Sequence, residues 1–204
     1  MADDSLPAAA DLAALVGSRL CHDLISPLGA IGNGVELLGL SVGGAGSPEL
    51  ALIGDSVAHA NARLKFFRVA FGQAGGEQRL GQPEIATLLA DLARGGRLEF
   101  HLQAVGDQSR REVKAVFLSL LCFESALPWG GKITIARSGE AWALQGQAQR
   151  IKPEPALWAR LDGGAAGAPL TPAQVQFALL PREVTRLGRT LAWEIDDTCA
   201  TITF

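Results

Sequence analysis

Leu50, Ile53, Val57, Ala60, Leu64, Phe67 and Phe71 follow one another at steps of three, four, three, four, three and four residues. A helix turns by about 100° per residue, so this spacing lays the apolar side chains along one narrow stripe, the pattern of a coiled-coil seam. Ser47-Pro48-Glu49 marks where the helix begins: serine as cap, proline in the first turn, an acid near the positive end of the dipole. Gly72, Gly75 and Gly76 end it, and Asp55, His59, Arg63 and Arg68 fall on its polar side. A chain with such a stripe must cover it with something.

The stretch before it reads as another helix, from about residue 9 to residue 40. Leu20, Leu24, Leu28, Ile31, Val35 and Leu38 recur at steps of three or four and mark its buried side. Residues 41–47, SVGGAGS, have the composition of a flexible turn. At 1.5 Å per residue each helix exceeds roughly 35 Å, and the short turn makes the two an antiparallel hairpin. One hairpin leaves the seam open, whereas two enclose it as a four-helix bundle. Homodimerisation through residues 9–72 is therefore expected from burial.

His22 lies two residues from both Leu20 and Leu24, which turns it roughly 160° away from each, toward solvent. Asp23 follows it directly, and Arg19 and Ser26 stand about one turn before and after. Pro27 cannot donate the amide hydrogen bond of a helix interior, so a bend is expected there. Gly29 is nearly in register with His22, and Gly32, Asn33 and Gly34 continue the same surface. Each helix-interior glycine costs about 1 kcal/mol against alanine, so a run of them beside one exposed histidine reads as room kept for a docking partner. Ile25, about 60° from His22, is apolar where water should reach and reads as part of that docking surface.

The remainder changes character. Residues 83–94 read as a helix, 97–103 as a strand, and 110–127 as a strongly apolar helix. Residues 132–137 and 141–147 read as a hairpin, 153–161 as a short helix, and 171–187 as a helix capped by Thr171. Residues 190–194 and 200–204 read as closing strands. The fold class is α+β: a helical hairpin over 1–76 forming a dimeric four-helix bundle, then a two-layer α/β sandwich with an antiparallel-rich sheet over 77–204. A net charge of −3 argues against a basic nucleic-acid surface. Cys21, Cys122 and Cys199 are scattered, without metal or disulfide spacing, as suits a reducing cytoplasm. The acidic N-terminus lacks the basic flank of a signal peptide, and the apolar run 115–129 is interrupted by Glu124 and too short to span a bilayer. No membrane association is expected.

An exposed imidazole near its ordinary pKa of about 6.5 is a competent nucleophile at neutral pH. Phosphoryl transfer asks little beyond in-line placement and charge compensation. His22 Nε2 can attack an acyl phosphate presented by a partner, with Asp23 orienting the ring or taking its proton and Arg19 offsetting phosphoryl charge. Competing chemistries fit worse. His22, His59 and His101 show no H-x-x-H or H-E-x-x-H spacing for a metal. Cys21 and His22 diverge as helix neighbours, and a G-x-S-x-G elbow is missing.

Residues 19–34, RLCHDLISPLGAIGNG, closely resemble the phosphoacceptor box of ChpT-type histidine phosphotransferases. The stretch Arg63 to Gly72, RLKFFRVAFG, also looks like that family, and the second half has the element order of a histidine-kinase ATPase domain of the Bergerat type. The resemblance implies a cytoplasmic homodimer that takes a phosphoryl group onto His22 from the receiver of a hybrid histidine kinase. It implies that the group then passes to response-regulator aspartates, in relays that govern cell-cycle transcription and proteolysis. Mg²⁺ is expected in the partner receiver, with no metal, nucleotide or other cofactor on this chain. Arg19, Ile25, Ser26, Gly29 and Asn33 would line the receiver-docking surface.

The kinase nucleotide boxes are degraded here. Cys122 and Phe123 stand near the position of a metal-binding asparagine, and Ala166 stands where the D-x-G-x-G started by Asp162 needs its last glycine. Gln176 to Arg182, QFALLPR, replaces a Gly-rich phosphate loop. Two other readings stay open at this level: an ATP-dependent histidine kinase core, and a non-catalytic dimer that binds regulators.

Overall fold

The structure, a computed structural model, describes residues 16, 19, 20, 23, 24, 27, 29–31, 33, 34, 37, 48–72, 74, 77–163 and 169–204. His22, Ile25, Ser26, the 41–47 turn, Gly75, Gly76 and Ala166 lie outside the described residues. The described residues from Val16 to Leu37 are all helical, Pro27 included. Helix α1, Pro48–Ala70, starts with proline and Glu49 in its first turn, as the cap pattern requires. It stops at Ala70; a Cβ added at Gly72 would lie 2.3 Å from the Arg68 carbonyl oxygen, so the chain can turn this tightly only with glycine.

The rest is built from β1 (Arg79–Leu80), α2 (Gln82–Ala93), β2 (Leu98–Leu102), β3 (Gln108–Ser109) and α3 (Arg110–Ala126). Strands β4 (Gly131–Ser138) and β5 (Ala141–Gln147) follow, then α4 (Pro155–Trp158), α5 (Gln176–Arg186), β6 (Ala192–Ile195) and β7 (Cys199–Thr203). A 3₁₀ turn, Ala159–Asp162, extends α4, and another, Pro172–Gln174, precedes α5. Thr171 does cap here: its backbone N–H donates to Gln174 Oε1 at 3.1 Å, closing a capping box.

Among the described residues the main sheet runs in the order β2-β4-β5-β7-β6, antiparallel except for the parallel pair β2–β4. Strand β5 alternates strictly, with Trp142, Leu144 and Gly146 buried and Ala141, Ala143, Gln145 and Gln147 exposed. One face of the sheet therefore meets water, and the other is covered by α2 and α3, with α5 packed alongside α3, a two-layer α+β arrangement. Helix α3 is buried nearly all round, which is why its sequence is apolar rather than amphipathic. No helix among the described residues is long and apolar enough to cross a membrane.

The core runs across the expected 76/77 boundary. Phe66 and Phe67 at the C-terminal end of α1 are 0% and 2% exposed and belong to the same cluster as Phe117, Leu120 and Ile133. Phe66 stacks on Phe117 of α3 with ring centroids 4.7 Å apart and planes 10° from parallel. The α1 seam is thereby split. Phe67 and Ala60 are buried, Phe71 is half-buried against the core, and Ile53 is half-buried. Leu50, Val57 and Leu64 remain 40%, 40% and 46% exposed. Part of the seam is thus covered within a single chain, contrary to the expectation from spacing: the second layer walls off Phe67 and Phe71.

Candidate functional site

The motif helix meets α1 on a side that spacing only partly indicates. Gly34 is buried, and a Cβ added there would lie 2.3 Å from Ile53 Cγ1 and 3.3 Å from the Glu49 carbonyl oxygen. Gly34 therefore makes a helix crossing and does not continue an open surface, which corrects the reading above. Gly29 and Asn33 are exposed, and a Cβ at Gly29 would meet nothing within 4 Å. The two glycines should respond oppositely. Gly34→Ala overpacks the crossing and should cost about 1–3 kcal/mol, whereas Gly29→Ala should gain up to about 1 kcal/mol of helix propensity. Thermal melts of the two variants check this; equal shifts would contradict the crossing.

Asp23 faces inward. Its Oδ2 lies 2.7 Å from Arg19 Nε and 2.8 Å from Arg63 Nη2 of α1. Arg63 also grips Glu124 of α3 at both carboxylate oxygens, Nη1 to Oε1 at 2.6 Å and Nη2 to Oε2 at 3.1 Å. Arg19 Nη2 closes the circuit at 3.5 Å from Glu124 Oε2, and Arg19 Nη1 donates to the Ala173 carbonyl at 3.1 Å. The Arg19–Asp23 contact is an ion pair by distance only, since the Nε–H is not aimed at the oxygen. The four side chains are 10–20% exposed and join the motif helix, α1 and α3 in one charge-neutral ring. A cleft of about 360 Å³ lined by Asp23, Pro27, Ala30, His59, Arg63 and Leu92 borders it.

Burial alone would lower the Arg63 pKa, but Glu124 and Asp23 outweigh it and hold the guanidinium above its ordinary range. The guanidinium also lies 4.9 Å from the centre of the Phe67 ring. Arg63 thus sits inside the fold, a correction to its assignment to the polar side, while Asp55, His59 and Arg68 are exposed as expected. Arg19 is likewise buried, at 9%, so its charge faces the ring and the Ala173 carbonyl rather than an open docking surface. The roles of Arg63 and Glu124 were missed from sequence. The available signal was Glu124 itself, the lone charge in the apolar run 115–129.

Around Cys122, Asp162 and Gln176, the stretches read above as degraded nucleotide boxes, side chains pack closely. Trp158 packs against Phe123, Phe177 and Trp193 with ring centroids 5.9, 6.0 and 6.0 Å away. Cys122 is fully buried, and burial pushes its thiol well above the ordinary range. Gln176 is buried with its amide donating to the Ala173 and Leu121 carbonyls, and Asp162 accepts from Trp193 Nε1 at 2.7 Å.

The chain is similar to known proteins over both parts. The family model described as histidine phosphotransferase C-terminal domain matches residues 82–199. Protein phosphotransferase ChpT of Brucella abortus (strain 2308) is 35% identical over 173 residues, covering 79% of this chain and 80% of its own. A solved structure of a bacterial phosphotransferase superposes with a TM-score of 0.82 at 29% identity, over 98% of this chain and 99% of its own.

Proposed function

The chain belongs to the histidine phosphotransferase family, and from that premise we propose that His22 takes a phosphoryl group from a hybrid-kinase receiver aspartate and passes it to response-regulator aspartates. Membership carries the coarser statement, protein phosphotransfer within a phosphorelay. The observation that carries the finer one is the two-sidedness of the motif helix. Asp23 and Gly34 are held against α1, while Gly29 and Asn33, which the helical repeat groups with His22, are exposed.

In the inward step the imidazole Nε2 lone pair forms a P–N bond as the acyl P–O bond breaks, and the receiver carboxylate leaves. The outward step reverses this on a second receiver. Mg²⁺ in the receiver's acidic pocket offsets the phosphoryl charge. Asp23 serves orientation rather than proton acceptance, because protonating a carboxylate that faces two guanidiniums would break both pairs. Ile25, Ser26, Gly29 and Asn33 line the docking surface, with Arg19 set behind it. The chain works as a homodimer joined along the Leu50, Val57 and Leu64 stripe, whose exposure in the single chain supports the pairing. ATP is not the phosphoryl donor. The aromatic filling around Trp158 and the bulky QFALLPR helix support this, since phosphates need close backbone approach.

The test is incubation of the full chain with a phosphorylated receiver domain. Wild type should gain an acid-labile, base-stable mark, and His22→Gln, still folded by circular dichroism, should gain none. Labelled ATP alone should mark neither. Labelling of the His22→Gln protein, or labelling of wild type by ATP, would overturn the reading.

A further inference from the structure

Helix α3 carries a carboxylate, Glu124, in its last turn, directly after a stretch that is wholly apolar and buried. The residues before it, Leu120 to Phe123, are 0–1% exposed, and an apolar side chain is what such a helix calls for. Glu124 instead holds Arg63 through two hydrogen bonds of 2.6 and 3.1 Å, and Arg63 holds Asp23 at 2.8 Å. These contacts join residues 61 and 40 positions apart in the chain. A half-buried ion-pair ring is a poor source of stability, because desolvation offsets most of the attraction. What it supplies is geometry: a bidentate guanidinium–carboxylate pair fixes both partners in one plane. Asp23 directly follows His22 in sequence, and Arg19, Leu20, Asp23 and Leu24 on either side are helical, so whatever fixes Asp23 bears on the residue next to it.

We propose that Glu124 is a positioning residue for phosphotransfer: through Arg63 it sets the rotation of the motif helix, so that the second layer, though it carries no phosphoacceptor, aims His22. The inference rests on the assignment of His22 as phosphoacceptor. It gives the kinase-like layer a role in the reaction that does not depend on nucleotide. It also accounts for arginine at position 63: lysine is a point charge and cannot hold Glu124 at two oxygens while reaching Asp23.

The experiment compares wild type and Glu124→Gln in single-turnover transfer from a saturating phosphorylated receiver domain, with the affinity for the unphosphorylated receiver measured separately. Loss of aim should lower the saturating transfer rate at least about tenfold, while receiver affinity stays within about twofold of wild type because the docking surface is untouched. An unchanged saturating rate in folded Glu124→Gln overturns the proposal. So does a loss confined to affinity, which would make Glu124 a docking residue. Should Glu124→Gln fail to fold, the paired variant Arg63→Met/Glu124→Met is read by the same criteria, since replacing both partners of a buried pair is commonly neutral or stabilising. Wild type that accepts no phosphoryl group at all would instead sink the functional reading, so the two failures are distinguishable.

Discussion

Phe66→Ala should be the most damaging single change in α1, costing about 3–5 kcal/mol. The ring is 0% exposed, stacked on Phe117 at 4.7 Å and edge-on to Phe67 at 6.0 Å. Truncation removes a large apolar surface and leaves a cavity where α1 and α3 touch, two costs that add. For a chain of this size each kcal/mol lowers Tm by about 2–4 °C, so the melt should move down by on the order of 10 °C. Phe66→Leu, which keeps most of the volume, should recover the larger part. The same change should loosen the Arg63 ring, because the guanidinium lies 5.8 Å from the Phe66 ring centre and one turn away on α1. Thermal unfolding followed by circular dichroism checks the result. A shift of only a degree or two would mean that α1 does not share the second layer's core.

That shared core is also what the sequence could not reveal. The α1 stripe is legible because helical spacing is local: Leu50 to Phe71 can be read without knowing anything else in the chain. Which of its residues stay open depends on long-range packing, such as the contact that seats Phe66 on Phe117, more than forty residues downstream, and no periodicity encodes that. The elements of the second part were legible for the same local reason, down to the cap at Thr171. The parallel pairing of β2 with β4 was not, because α3 intervenes between them and pairing is a long-range choice.

Within the site, the exposure of Gly29 and Asn33 follows from their spacing, whereas Gly34 looks identical in sequence and differs only because Ile53 crosses it. Arg19 and Asp23 were recognisable as a pair at i,i+4, but a pair on a wet face and one inside an ion-pair ring share the same letters. What distinguishes them is Glu124, and its position on an apolar helix was the trace left in the sequence.

Introducing glutamate at both Val57 and Leu64 should separate the proposed homodimer while leaving each chain folded. The two side chains are 40% and 46% exposed in the single chain, so glutamate at either position can reach water once the partner is gone. In the proposed four-helix bundle each side chain occurs twice, and covering the four exposed remainders contributes at least about 3 kcal/mol in total by apolar area. Losing that much weakens association by roughly a hundredfold, before the cost of burying carboxylates against one another is added. Size-exclusion chromatography with light scattering at micromolar concentration should show wild type as two chains and the double variant as one, with unchanged circular dichroism. Phosphotransfer by the monomer then separates two uses of the bundle. If His22 acts only through its own hairpin, transfer persists; if the receiver seats across helices from both chains, transfer falls with dimerisation. A wild-type protein that elutes as a single chain would remove the stripe as an interface.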